Sequence, residues 1–159
     1  MSRYNFFMQA TYEDANLILR LYELRREEVL RKARSWFTAN FNVTSVEELM
    51  QKYPFNSQEN VNVRMVISYW DMAASFIVAG VLNQDLFFES NGELLVVWEK
   101  VRGVVEAFRQ VTKNPKMWHN LETVGNAYIK SIESRGPEAY AAFQAMLKAT
   151  AASAASNQS

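Results

Sequence analysis

At 159 residues, with 49% hydrophobic and 13% aromatic side chains, the chain fits one domain with a sizeable core and with rings to spare for a partner. Lys and Arg number 17, as do Asp and Glu, so no whole-molecule field favours nucleic acid or an anionic membrane. The absence of cysteine excludes disulfides, thiolate metal sites and cysteine nucleophiles.

The first residues, MSRYNFFMQATYED, hold no apolar run of signal-peptide length, which makes the cytoplasm the expected compartment. Tyr4, Phe6, Phe7 and Met8 are too many large apolar groups for a free tail, and are expected to pack back on the fold or on a second subunit. Thr11 followed by Asp14 reads as a helix start. From there one long helix is expected to run to about residue 40. Ile18, Tyr22, Val29, Ala33, Trp36 and Phe37 form its apolar stripe, widened by Leu17, Leu21 and Leu24, and Glu23, Arg26, Glu27, Glu28, Arg31 and Lys32 lie on the other face.

Ser45 with Glu48 is a capping-box pattern for a short helix that Tyr53-Pro54 stops, and Ser57 caps the next. That next helix, expected over about 58–82, is the centre of the fold. Between residues 65 and 82 its only charge is Asp71, and a rod so apolar must be covered on every side. Its length also approaches the ~17 to 25 residues of a membrane span. Asp71 at its middle and the charged, one-sided neighbours favour burial in a protein core, so membrane association is not expected.

Asp85 reads as the cap of a short piece that breaks at Asn91-Gly92, where a positive φ is cheap. Leu94, Trp98, Val101, Val105 and Phe108 then repeat as the core stripe of one helix of some twenty residues. Pro115 ends it or starts its successor, whose stripe is Met117, Leu121, Val124, Tyr128 and Ile132; Gly136-Pro137 punctuates that end. A last helix from about Glu138 presents Tyr140, Phe143, Met146 and Leu147, and the Ala/Ser-rich residues 149–159 are expected to fray. The pattern predicts an all-α fold, an antiparallel bundle of four or five long helices plus short ones, with one domain over 1–148 and a tail over 149–159. Charge is split by region, with two basic and eight acidic groups over 44–99 between two more basic flanks, which suits pairing within the bundle.

Sites are sparser. His119 and Glu122 share a helical face, but a carboxylate-bridged di-iron bundle needs Glu-x-x-His on two helices, and there is one histidine, in the reverse order; no metal or cofactor is expected. Glu89, Glu93 and Glu99 fall near one another in sequence without a sign of a shared cleft. No phosphate-binding glycine loop, nucleophile elbow or His-Glu-x-x-His is present. Arg64, Ser68, Asp71 and Ser75 form one polar seam along the central rod. A carboxylate there must be paired or hydrogen-bonded, either in a structural pair with Arg20 or Arg25, or in a ligand-binding pocket of Arg64, Ser68, Asp71, Ser75 and Arg25.

The stretches LRLYELRREEVLRKARSWF from Leu19, RMVISYWDMAASFIVAGVLNQDLFFESNGE from Arg64, and Trp98-Glu99-Lys100 resemble a bacterial family of small helical proteins known only as a domain of unknown function, over roughly residues 12–132. The resemblance implies a helical fold and carries no activity, ligand or catalytic residue with it. The expectation is a soluble, non-enzymatic helical module that acts through protein contacts, as a homodimer or other homo-oligomer, with Phe6, Phe7, Phe87, Phe88 and Trp118 as candidates for the surface. The alternative is a small-molecule-binding or enzymatic bundle working along the Arg64 to Ser75 seam.

Overall fold

The computed structural model describes residues 9–156, the side chains of residues 154 and 155 excepted. Among these, nine helices follow one another: α1 (Tyr12–Arg26), α2 (Glu28–Asn40), α3 (Val46–Lys52), α4 (Gln58–Val78), α5 (Gln84–Ser90), α6 (Glu93–Val101), α7 (Val105–Thr112), α8 (His119–Glu133) and α9 (Ala139–Ser156). Tyr4, Phe6, Phe7 and Met8 lie outside the described residues. No strand occurs among the described residues, and no helix there is long and apolar enough to cross a membrane.

The longest helix, α4, is the shared partner, with α2 on one side and α8 on another; α8 in turn packs on α6 and α9. Val63, Val66, Ile67, Tyr69, Trp70, Ala73 and Ala74 of α4 are buried, and Trp70 is closed off from solvent altogether. The rod is not covered on every side, however. Arg64, Ser68, Met72 and Val78 are exposed while Asp71 and Ser75 are half-buried, so the polar seam runs from the solvent face of the helix to its edge. Four polar positions at helical spacing suffice for this, since their stripe follows the turn of the helix.

Local signals set most helix ends. Ser45 Oγ accepts from the Glu48 amide and Ser57 Oγ from that of Asn60, while Thr11 and Asp14 close a reciprocal capping box. Gly80, at φ 74°, closes α4: its amide donates to the Ile77 carbonyl and that of Val81 to Phe76, the two bonds of a Schellman turn. Where α6 crosses α8, a Cβ on Gly125 would fall 2.4 Å from Cγ and Cδ1 of Trp98, so only a bare α-carbon lets the two helices approach.

Four expectations need correction. The first long helix is two, because Glu27 leaves helical geometry (ψ 138°) and its carboxylate accepts from the amides of Val29 and Leu30, starting α2 afresh. The buried stripe shifts by one residue across this break, to Leu30, leaving Val29 outside. The helix expected after residue 93 is also two, α6 and α7, joined by a tight turn in which the Val104 amide donates to Val101. Its stripe survives, with Leu94, Trp98, Val101 and Val105 all buried. Asn83, not Asp85, caps α5, by accepting from the Leu86 amide. Asn91 and Gly92 both keep negative φ, so the break there uses no left-handed residue. The last helix, α9, spans Ala139–Ser156 and so includes residues 149–156.

Candidate functional site

Three places gather polar chemistry, and α1 gathers something else. Along the seam, the side chains look mostly to their own helix. Ser68 Oγ donates to the Met65 carbonyl and Ser75 Oγ to that of Met72, while Arg64 Nε donates to Asn60 Oδ1 and its guanidinium lies 4.8 Å from the Phe55 ring centre. Asp71 is different. Its Oδ1 accepts from the Leu121 amide at 2.9 Å and its Oδ2 from Asn120 Nδ2 at 3.4 Å. Its own helix has no claim on this carboxylate, which serves α8, whose N-cap residue Trp118 offers no capping side chain. Leu121 is the third residue of α8, the position that an N-cap side chain normally satisfies. The carboxylate therefore meets a helix N-terminus in place of Arg20 or Arg25. Arg25 NH1 points instead to Asn91 Oδ1, at 3.0 Å.

The most connected polar node surrounds Glu93, at the start of α6. Arg34 of α2 grips it with Nε on Oε1 (2.7 Å) and NH2 on Oε2 (2.5 Å), a fork matched to a carboxylate. Trp70 Nε1 adds a bond to Oε1, and Arg34 NH1 donates to the Arg25 carbonyl, one of those freed by the break between α1 and α2. The hydrogen bonds to Glu93 hold the Arg34 guanidinium above its ordinary pKa. The buried Asn91 continues the node, donating to the Phe87 carbonyl and accepting from Arg25, whose guanidinium lies 5.7 Å from the Trp70 ring centre. A shallow groove of about 420 Å³ opens beside it between α2 and α9, lined by Arg31, Arg34, Ser35, Thr38, Glu93 and Thr150 among others. Since Arg34 and Glu93 neutralise each other, the node joins α1, α2, α4 and α6.

A smaller node ties α9 to α6. Glu99 accepts from Tyr140 Oη and from Arg102, and burial, with Glu99 beside it, pushes the Tyr140 phenol up to about 12. Glu89, Glu93 and Glu99 do not form one cleft: Glu93 and Glu99 serve separate nodes and Glu89 is exposed. His119 is exposed, and Glu122 is taken by Arg109 NH2 at 2.7 Å. No group of three or more metal-ligating side chains occurs among the described residues.

Phe87 and Phe88 are core residues, and Trp118 stacks on Phe108 with ring centres 4.8 Å apart, so none of these three offers itself to a partner. What the sequence reading missed is on α1. Of its fifteen residues only Asp14 and Leu21 are buried, and Tyr12, Leu19 and Tyr22 are 78%, 59% and 43% exposed. Counting Tyr22 and Leu24 in one long helix's core stripe hides them, and Tyr12 and Leu19 fall outside that stripe; with the break at Glu27, α1 packs inward only on its Leu17, Ile18 and Leu21 side.

Fold and nodes together define a helical bundle domain whose polar interior is engaged in joining helices. Residues 10–128 match the model of a domain of unknown function, DUF4760, and the chain belongs to that family. No curated protein and no solved structure matches it.

Proposed function

We propose that this domain is a non-enzymatic contact module that works as a homo-oligomer in the cytoplasm, with no role in nucleic-acid or membrane binding. The observation that carries the reading is α1: a fifteen-residue helix that keeps Tyr12, Leu19, Tyr22 and Leu24 at the surface, more exposed large apolar residues than any other helix carries among the described residues. Aromatic and aliphatic groups held on a rigid helix make contact area at low entropic cost. The net charge of zero leaves no long-range repulsion against a second copy.

The alternative, a small-molecule-binding or enzymatic bundle working along Arg64, Ser68, Asp71 and Ser75 with Arg25, has less support. Arg25 is turned to Asn91, and Asp71 is occupied by the start of α8. Sedimentation of the full chain from about 1 μM to about 1 mM covers the range in which interfaces of modest size associate. The weight-average mass is expected to rise toward that of a dimer; a mass fixed at 18.3 kDa throughout overturns the proposal.

A further inference from the structure

We infer that α9 is a strap: it lifts off α2 and α8 about a hinge at residues 134–138 while the other helices stay packed, and so opens the groove beside Arg34 and Glu93. The strap is a property of the single chain, whether or not that chain self-associates. Among the described side chains, α9 is the one helix that contributes none to the buried core, whereas every other helix buries at least one. Ala139, Tyr140, Phe143, Gln144 and Leu147 are half-buried, and from Lys148 onward every described side chain is exposed. Its packing on α2 and α8 is therefore concentrated in its first half. The helix also lies wholly beyond residue 128, where the family match ends. An element with so few buried contacts opens at far lower cost than the core it rests on.

Sequence and geometry supply a stiff arm, a hinge and a fastening. After Lys148 the Ala- and Ser-rich run keeps helical form through backbone propensity and has little apolar surface to bury. At the other end, Pro137 has no amide with which to carry α8 onward, so the two helices meet at a turn. That turn is closed by the Gly136 amide on the Glu133 carbonyl and the Ala139 amide on that of Gly136, and a Cβ on Gly136 would meet nothing within 4 Å. The fastening is the hydroxyl of Tyr140. It donates to Glu99 Oε1 and accepts from Arg102 NH1 at 2.7 Å and from Gln144 Nε2 at 3.1 Å, while Gln144 also reaches Glu99 Oε2 at 3.3 Å. The rings of Tyr140 and Phe143 pack on the core beside it. Further along, Thr150 lines the groove together with Arg31, Arg34, Ser35 and Thr38 of α2 and Glu93 of α6, so lifting α9 removes one wall of that groove.

The experiment is amide hydrogen exchange on the full chain at neutral pH, read in peptides that cover α4, α8 and α9. Residues 141–147 are expected to be protected, yet to exchange at least ~100-fold faster than the middle of α4. Tyr140→Phe keeps the ring and removes the fastening. It is expected to speed exchange in α9 by ~3–10-fold, the scale of one lost hydrogen bond, with α4 and α8 unchanged. Because the chain has no cysteine, Thr38→Cys places a single thiol in the groove. Its reaction with an aromatic disulfide reagent is expected to speed by the same factor when Tyr140→Phe is added. Exchange of α9 in step with α4 overturns the strap, and so does an α9 without protection, since nothing is then fastened. Equal thiol rates with and without Tyr140→Phe overturn the control of the groove.

Discussion

Asp71 shows how much one carboxylate can depend on tertiary context. On α4 it is a single charge in an apolar run, yet its acceptor atoms close the start of α8, where Trp118 sits at φ 54° and supplies no cap. Replacing an N-cap acceptor by Ala costs about 1–2 kcal/mol, and the negative charge near a helix N-terminus contributes about 0.3–1 kcal/mol of its own. Asp71→Ala is therefore expected to lose ~1–2 kcal/mol in urea unfolding, and Asp71→Asn, which keeps an acceptor but no charge, less than half of that. Equal losses in the two variants would show that the oxygen is not acting as a cap, and wild-type stability in Asp71→Ala would remove the role altogether. The need for a partner at Asp71 was legible in the sequence, because a carboxylate cannot stay unpaired beside Trp70 and Ala74. The partner's identity was not, since a backbone amide fifty residues away has no letter of its own. Gly125 was hidden in the same way: a glycine in mid-helix is a weak signal until Trp98 is seen to fill its place.

At the scale of elements, caps that act within four residues were readable and breaks were not. Ser45 and Ser57 declare α3 and α4 because the bond that starts each helix is local. Glu27 is a good helix former, and nothing in its neighbourhood marks a stop; it ends α1 because Arg34, anchored to Glu93, takes the Arg25 carbonyl that continuous helix would have bonded. The join of α1 to α2 thus depends on an ion pair supplied by α6. Arg34 and Glu93 side chains are 19% and 23% exposed, so removing the carboxylate leaves a largely desolvated guanidinium with one carbonyl partner. Glu93→Ala is expected to destabilise by ~2–3 kcal/mol and to speed amide exchange in α1 and the first turn of α2 before it affects α8. Arg34→Met with Glu93→Leu is expected to recover much of the stability but not the break. Uniform acceleration of exchange across all helices in Glu93→Ala would mean that the pair is not specific to this join.

Across the whole molecule, distant helices are stitched by tyrosine hydroxyls that donate to backbone carbonyls: Tyr69 of α4 to Leu21 of α1 at 2.5 Å, and Tyr128 of α8 to Phe88 of α5 at 2.7 Å. Burial raises the pKa of both phenols, that of Tyr69 from 10.0 to about 12, and Tyr140 is raised to about 12 as well. A phenol whose folded pKa lies above its unfolded one binds its proton more tightly when folded, so the contribution is present in full below about pH 10. Between pH 10 and 12 the unfolded chain releases protons that the folded chain keeps, and stability falls as pH rises. Deprotonation also turns each hydroxyl from a donor into an anion facing a carbonyl oxygen, which breaks the stitch. Urea midpoints are therefore expected to hold level to about pH 9.5 and to drop steeply from pH 10 to 12, with α1 released first because Tyr69 secures it. Tyr69→Phe is expected to start lower, by the ~1 kcal/mol of one lost hydrogen bond, and to fall less steeply over that window because one of three titrating groups is gone. The same slope in Tyr69→Phe as in the wild type would place the alkaline transition elsewhere and remove Tyr69 as the bolt between the outer helix and the central one.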